Sequence, residues 1–175
     1  MKKTLVVIAH PDMEESRLNK TLLDAVRDLP NVTIDNLYVK YPDFSIAIKA
    51  EQQLVIEHDY IVLQFPLYWY QCPSLMKKWF DDILMFGFAY GDDGDKLKDK
   101  KLYVAITAGS YVKPTASDVY NSFELEDIIK PFRQIAEFCQ MEFAGTFLIE
   151  GSRNISDEDL AKKAQEYRAL LKGFK

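Results

Sequence analysis

The sequence predicts a three-layer α/β sandwich, in which helices cover both faces of a parallel sheet. Short apolar runs rich in β-branched residues alternate with segments of helical period along 175 residues. The run at residues 60–65 is apolar on both faces, which is typical of a central parallel strand. Such alternation implies right-handed crossovers. We expect five strands and about five helices in a single domain spanning residues 1–175.

The first strand competes with a leader sequence as an interpretation of the amino terminus. The predicted strands occupy residues 5–9, 32–37, 60–65, 102–106 and 142–149. A basic pair precedes the first of them, as in a signal peptide, but the apolar run is short and stops at His10 without a small-residue cleavage site. We therefore favour a strand.

The first three helices are predicted from apolar stripes and end signals. The first begins after Ser16 as N-cap and ends at Pro30. The second covers residues 46–57, and the third begins near Pro73 and Ser74. Their stripes place apolar side chains on one face; in the first and third helices these are Leu18, Leu22, Val26 and Leu29, and Met76, Trp79, Phe80 and Ile83.

The last two helices carry clear local signals. In the fourth, Pro131 must either kink the helix or start its second half. The fifth opens at Ser156, with Asp159 three residues later, which resembles a capping box. Both would pack an apolar face on the sheet.

Composition excludes several classes of function. The net charge of −5 and the absence of a basic run argue against nucleic acid. No apolar stretch approaches a membrane span. Cys72 and Cys139 allow at most one disulfide, which fits a reducing cytoplasm, and two cysteines with two histidines make a zinc site a poor expectation.

An aromatic loop follows the third strand. Residues 64–73 read QFPLYWYQCP, and residues 87–91 add GFAYG. In open α/β sheets ligands bind beyond the carboxyl ends of strands, so this loop is a candidate wall for a flat ligand. The alternative is that its aromatic side chains only cap the edge of the sheet.

The loops after the first and fourth strands complete the candidate site. All seven glycines lie at or beyond Gly87, so the first loop has neither a dinucleotide fingerprint nor a P-loop. It instead runs from His10 through Ser16 into a helix N-terminus, which can hold a phosphate; alternatively, Ser16 is only a cap and His10 a loop residue. The loop after the fourth strand begins at Thr107, and its small residues let the backbone come close to a planar ring. Such a composition is also ordinary in turns.

These residues carry a resemblance to a known family. The block from Phe65 to Pro73, the segment from Gly87 to Gly91, and the loop with His10, Ser16 and Asn19 resemble the flavodoxin-like NAD(P)H:quinone oxidoreductases. Residues 41–44 (YPDF) and 50–52 (AEQ) are similar to the short bacterial branch that includes ancillary flavoproteins of glutathione-regulated potassium efflux systems. The resemblance implies a flavodoxin-like fold with strand order 2-1-3-4-5, and a homodimer with two flavin sites.

The resemblance also implies a role for each site residue. The flavin phosphate would be surrounded by His10, Ser16, Arg17, Leu18 and Asn19. The isoalloxazine would be lined by Pro66, Leu67, Tyr68 and Trp69, and its polar edge by Thr107, Ala108, Gly109 and Ser110. The substrate pocket over the ring would be shaped by Tyr70 and by the neighbouring subunit's Phe86, Phe88 and Tyr90.

The loop after the fourth strand departs from the family pattern. It is about one residue shorter than the family pattern, and no histidine follows His58, so a tyrosine–histidine relay cannot be carried over. Tyr111 or Tyr120 would supply a hydroxyl instead, although Tyr120 is as easily the start of the fourth helix.

The implied activity is two-electron reduction of a quinone by NADPH or NADH, with FMN as the cofactor. FAD is the weaker expectation because the chain lacks a long carboxyl-terminal extension. Two alternatives remain at this point: a flavodoxin-type electron carrier, and a regulatory subunit of a membrane potassium efflux protein.

Overall fold

The computed structural model describes residues 2–109 and 124–174 and contains one parallel sheet of five strands. The strand order β2-β1-β3-β4-β5 confirms the predicted topology. The strands are β1 (Thr4–Ile8), β2 (Val32–Asn36), β3 (Tyr60–Pro66), β4 (Lys101–Thr107) and β5 (Glu142–Ile149). Each lies within about one residue of its predicted bounds.

Six helices occur in the described ranges. They are α1 (Arg17–Val26), α2 (Leu37–Lys40), α3 (Ile48–Ile56), α4 (Ser74–Ile83), α5 (Leu125–Phe138) and α6 (Asp157–Lys172). The sequence did not predict α2, because four residues are too few to show a helical period. The first helix ends at Val26, earlier than Pro30, yet Leu29 is still buried.

The sheet separates two apolar cores, because successive side chains of a strand point to opposite faces. In β1, Leu5 and Val7 face the core under α3, α4 and α5, whereas Val6 and Ile8 face the core under α1 and α6. Strand β3 is buried along its whole length, as its continuous apolar run indicates.

The predicted signal at the start of α6 is confirmed, whereas α5 begins differently from expectation. The Asp159 amide donates to Ser156 Oγ over 3.0 Å, which fixes the start of α6. Of the two alternatives expected at Pro131, a kink or the start of a second half, the second does not occur, because helix α5 runs without interruption through this residue. A capping box of Glu124 and Asp127 sets its beginning instead. Within the described ranges, no helix combines the length and hydrophobicity needed to cross a membrane.

Candidate functional site

The loops that follow β1, β3, β4 and β5 meet at the carboxyl edge of the sheet and enclose a crevice of about 410 Å³. This volume lies in the range of about 300–1,000 Å³ that is usual for small-molecule sites. The crevice is lined by His10, Glu15, Ser16, Arg17, Leu18, Asn19, Pro66, Leu67, Tyr68, Thr107, Ala108, Gly109, Ser152 and Arg153. The structure thus brings together most of the cofactor-binding residues predicted from sequence.

One end of the crevice is the N-terminus of α1. Ser16 occupies the N-cap position as predicted, but its side chain makes no capping hydrogen bond. The first amide to bond to a helix carbonyl is that of Lys20, which donates to Ser16 O over 3.2 Å. The amides of Arg17, Leu18 and Asn19 precede it and have no intrahelical acceptor, as at any helix start. Free amides and the helix dipole favour an anion at this point.

His10 adds a neutral donor beside these amides. Its Nδ1 accepts a hydrogen bond from the Asp12 amide over 3.1 Å, so the neutral ring carries its proton on Nε2. Burial lowers the pKa of His10, although the Asp12 amide and carboxylate oppose the shift. The ring also meets Tyr68 edge to face, with 6.3 Å between ring centroids. The imidazole therefore links the anion end of the crevice to its aromatic side.

Two arginines line the crevice, and they differ in how they are held. Arg17 donates to Ile155 O over 3.0 Å and to Asp157 Oδ1 over 2.5 Å, so it ties α1 to the start of α6. Arg153 is exposed and forms no ion pair within the described ranges. Arg17 thus mainly connects α1 to the start of α6, whereas Arg153 is available to bind an anionic ligand.

Sequence reasoning missed Arg153 and its neighbour Ser152. Both follow β5 on a turn in which the amides of Asn154 and Ile155 donate to Gly151 O, with Gly151 at φ +64°. The Ser152 amide donates to Ala108 O over 3.1 Å and fixes this turn against the end of β4. The only available signal was position, because β5 ends at the same edge of the sheet as β4.

A buried hydrogen-bond network sets the floor of the crevice. Asn19 Nδ2 donates to Thr107 Oγ1 over 2.9 Å, and Gln64 Nε2 donates to Asn19 O over the same distance. Tyr167 in turn donates its hydroxyl proton to Gln64 Oε1 over 3.1 Å. Asn19 therefore holds α1 against β3 and β4 through its side chain, and only its backbone amide remains for an anion.

The aromatic loop forms a tight two-residue turn. Tyr68 and Gln71 exchange backbone hydrogen bonds of 2.9 and 3.0 Å, while Trp69 and Tyr70 between them adopt φ +51° and +65°. Such turns normally hold Asn-Gly, because non-glycine residues resist this conformation. Each residue costs about 1–3 kcal/mol in such a conformation, and strain of this kind clusters at ligand sites. Trp69 is 92% exposed and projects beyond the residues that line the crevice.

Among the described residues, the end of β4 leaves space beside Gly109. A Cβ added to Gly109 would meet only Ser152 Oγ, at 3.8 Å, so no described group fills the volume beside this glycine. The Ala108 amide already donates to Ile149 O over 2.8 Å, whereas the Gly109 amide donates to no backbone carbonyl of the described residues. A planar ring can therefore approach the backbone here, with an anion at α1 on the same ligand. These features fit the shape and charge of FMN.

The second aromatic segment, residues 86–90, lies outside the crevice. Phe86 is 65% exposed, and its ring lies 5.9 Å from that of Tyr90, which in turn lies 5.0 Å from that of Phe138. Phe88 points into the core of its own subunit and is buried. The rings available to a neighbouring molecule are thus Phe86 and Tyr90, without Phe88.

Three predicted site residues, Ser110, Tyr111 and Tyr120, lie outside the described residues. Cys72, in the aromatic loop, is half-buried against the core, and burial raises its pKa to about 11. A thiol held in its neutral form is a poor nucleophile, so Cys72 acts as a small loop hydrophobe.

Comparison with known proteins agrees with this geometry. A family model described as having a flavodoxin-like fold matches residues 2–171. The chain is 42% identical over 165 residues to the uncharacterized NAD(P)H oxidoreductase YdeQ of Bacillus subtilis, covering 94% of this chain and 84% of that protein. It is 41% identical over 169 residues to the glutathione-regulated potassium-efflux system ancillary protein KefG of Cronobacter sakazakii, covering 97% and 92%.

A solved structure with the same fold contains FMN. General stress protein 14 of Treponema denticola, crystallised in complex with FMN, superposes with a TM-score of 0.90 at 34% identity, covering 97% of this chain and 98% of the other. The match of the family model over nearly the whole chain, and these relatives, agree with the topology described above. The chain belongs to the flavodoxin-like family whose members include these NAD(P)H oxidoreductases and potassium-efflux ancillary proteins.

Proposed function

We propose that this protein is an FMN-dependent NAD(P)H oxidoreductase that reduces a quinone or a similar flat acceptor by two electrons. The observation that carries the proposal is the crevice itself, with helix amides that have no intrahelical acceptor at one end and, at the other, a space beside Gly109 that no described residue fills. The FMN complex of a 34% identical protein and an oxidoreductase relative at 42% identity support the cofactor and the electron donor.

At the anion end, the protein's own groups would bind the FMN phosphate. The amides of Arg17, Leu18 and Asn19 donate along the α1 axis, and the Ser16 hydroxyl and the His10 Nε2 proton lie beside them. Hydrogen bonds to a charged acceptor contribute about 1.5–3 kcal/mol each. We therefore expect the phosphate to supply a large share of the affinity for the cofactor.

At the ring end, bound flavin would accept a hydride from a nicotinamide and pass two electrons to the acceptor, which is the chemistry that the cofactor supplies. Pro66, Leu67 and Tyr68 would lie along the ring, and the Gly109 amide would donate to its polar edge. A fixed donor of this kind stabilises negative charge without reorganisation. Because donor and acceptor would use one opening in turn, we expect ping-pong kinetics.

The proposal includes a homodimer. The large exposed apolar side chains of the described residues include Trp69, Tyr70, Met85, Phe86 and Phe138. Exposed apolar groups of this size favour an interface. A second copy would bring its Phe86 and Tyr90 over the ring and exclude water from the hydride transfer. Sedimentation equilibrium tests this part: a monomer at micromolar concentration would contradict it.

Anaerobic stopped-flow spectroscopy of the FMN-loaded protein tests the activity. NADPH or NADH should bleach the flavin absorbance within seconds, and addition of a benzoquinone should restore it. A flavin that neither nucleotide reduces would instead favour a flavodoxin-type electron carrier. Rates with the two nucleotides also decide the preferred donor.

A second candidate function is regulation of a potassium efflux protein, favoured by the 41% identity to KefG. The dimer would then dock on the membrane protein's cytoplasmic side, with turnover secondary. Potassium efflux from cells that express an antiporter of this class, with and without this protein, tests the idea. Unchanged efflux would contradict the regulatory role and leave oxidoreductase activity as the remaining proposed function.

A further inference from the structure

A cluster of ionisable side chains lies away from the crevice, between β2, α2, α3 and α4; its two carboxyl groups are buried, and Lys40 reaches them from the surface. Glu51 on α3 is fully buried and accepts hydrogen bonds from Lys40 Nζ at 2.5 Å, from the Tyr41 hydroxyl at 2.6 Å and from the Trp79 indole at 2.8 Å. Lys40 Nζ also donates to Asp35 Oδ1 at 3.0 Å. The cluster thus joins one strand to three helices.

The charges in this cluster do not balance. Asp35 is only 3% exposed, and its register partner in β1 is Val7. Its side chain therefore faces the core that contains Val7, under α3, α4 and α5. Two carboxylates and one lysine would leave a net negative charge in this core. The described neighbours add the hydroxyl of Tyr41 and the indole of Trp79, which are neutral donors.

The surroundings of one Asp35 oxygen indicate which carboxyl group carries the proton that would remove this excess negative charge. Asp35 Oδ2 is buried and accepts no hydrogen bond from any described group. A buried carboxylate oxygen without a donor is costly. A protonated Oδ2 would instead be a donor, and we assign as its acceptor the Glu51 carboxylate, which accepts from the same Lys40 Nζ as Asp35 does.

We propose that Asp35 and Glu51 share one proton in mildly acidic solution, and that this proton holds helix α2 against α3 and α4 until it is lost as the pH rises through neutrality. The step is a simple ionisation in which the Asp35 acid loses its proton to water. Afterwards two adjacent carboxylates repel each other beside a single lysine. The segment released is α2, which is held by the Asn36 cap, by the buried side chain of Leu37 and by this cluster.

The titration properties agree with the geometry. Burial, followed by the hydrogen bond and the charge of Glu51, raises the pKa of Asp35 to about 7, and Lys40 offsets this only in part. Burial also favours a higher pKa for Glu51, but the hydrogen bonds from its neighbours outweigh it and lower that pKa. The proton therefore belongs on Asp35.

The sign of the pH dependence follows from linkage. The Asp35 pKa is higher in the folded protein than the value of about 4 in an unfolded segment. The state in which α2 is packed against α3 and α4 therefore binds more protons than the open state, in which α2 is released. The free energy by which this proton stabilises the packed state is fully present below about pH 4, declines between pH 4 and 7, and is lost above the folded pKa. From pH 6 to 8.5 the open fraction of α2 should rise about tenfold.

Nuclear magnetic resonance of the intact protein labelled with ¹³C at aspartate carboxyls tests this without a mutation. We expect one aspartate carboxyl to titrate near pH 7, and the protection of the Tyr41 amide against hydrogen exchange to fall about tenfold from pH 6 to 8.5. If every aspartate carboxyl titrates below about pH 5, the proposal is overturned.

The variant Asp35→Asn provides the matched control. Its amide can donate to Glu51 and accept from Lys40, which mimics the protonated acid at every pH. The Trp79 indole resonance should shift with a midpoint near pH 7 in the native protein and stay constant in the variant. A shift that persists in Asp35→Asn would contradict the assignment. Neither result depends on bound flavin, so the outcome is separate from that of the proposed function.

Discussion

Trp69 and Trp79 lie ten residues apart and have opposite environments. Trp69 is 92% exposed on a turn with left-handed backbone, whereas Trp79 is 2% exposed on α4 and donates its indole proton to Glu51. The fold satisfies every group of Trp79 internally and leaves Trp69 without a partner among the described residues. The same contrast separates Arg17, which is braced, from Arg153, which is not. Groups that the fold leaves unused mark the candidate site.

The largest expected effect comes from truncating the buried tryptophan. Trp79→Ala removes a packed ring and should lower the free energy of unfolding by about 3–5 kcal/mol. Trp69→Ala should change it by about 0.5 kcal/mol or less, as for other exposed sites. Chemical denaturation of both ligand-free variants measures the difference. Similar losses of stability in the two variants would contradict the claim that Trp79 supports the fold and Trp69 does not.

Relaxing the strained turn should stabilise the protein. The double variant Trp69→Asn, Tyr70→Gly places the residues that a type I′ turn favours, and we expect a gain of about 1–2 kcal/mol in the free energy of unfolding. Trp69→Phe with Tyr70→Phe is the control, because it keeps two strained positions. A loss of stability in the Asn-Gly variant would show that these side chains support the fold.

The exposed tryptophan should matter for the ligand. We expect Trp69, which projects past the crevice lining, to stack on the part of the ring that emerges there, so Trp69→Ala should weaken FMN binding about tenfold, or about 1.4 kcal/mol. Val39→Ala removes an exposed apolar group outside the crevice lining and should leave the affinity unchanged. Flavin fluorescence titration measures both. Equal affinities for native protein and Trp69→Ala would remove Trp69 from the site.

The smallest expected effect concerns the arginines. Arg153→Gln should weaken FMN binding about fivefold, in line with a partly exposed charge pair, and leave riboflavin binding unchanged. Arg27→Gln, an exposed arginine paired with Asp24, is the control. An equal loss for FMN and riboflavin would mean that Arg153 does not contact the phosphate.

Much of the fold was predictable because its signals are local. The stripe of Met76, Trp79, Phe80 and Ile83 gave α4 and its buried face, and the apolar run of β3 gave a central strand. The four-residue α2 was missed because it is held by tertiary contacts rather than by a repeating pattern. The uninterrupted helix through Pro131 likewise depends on packing that a local rule does not include.

The candidate site was predictable only in part. His10, Ser16 and Pro66 follow predicted strands, so topology placed them at one edge. That the Asn19 side chain is a brace rather than a free donor follows from Gln64 and Thr107, which are distant in sequence. Ser152 and Arg153 sit in an ordinary-looking turn, and the inward position of Phe88 depends on the turn around it.

Titration of the ligand-free protein with FMN and with riboflavin tests the central claim most directly. The two ligands share the ring and differ in the phosphate that the α1 amides would bind. We expect one FMN per chain, bound at least about tenfold more tightly than riboflavin, since even one hydrogen bond to a charged group contributes about 1.5 kcal/mol. Equal affinity for both, or no binding of either, would contradict a flavin site built on this helix.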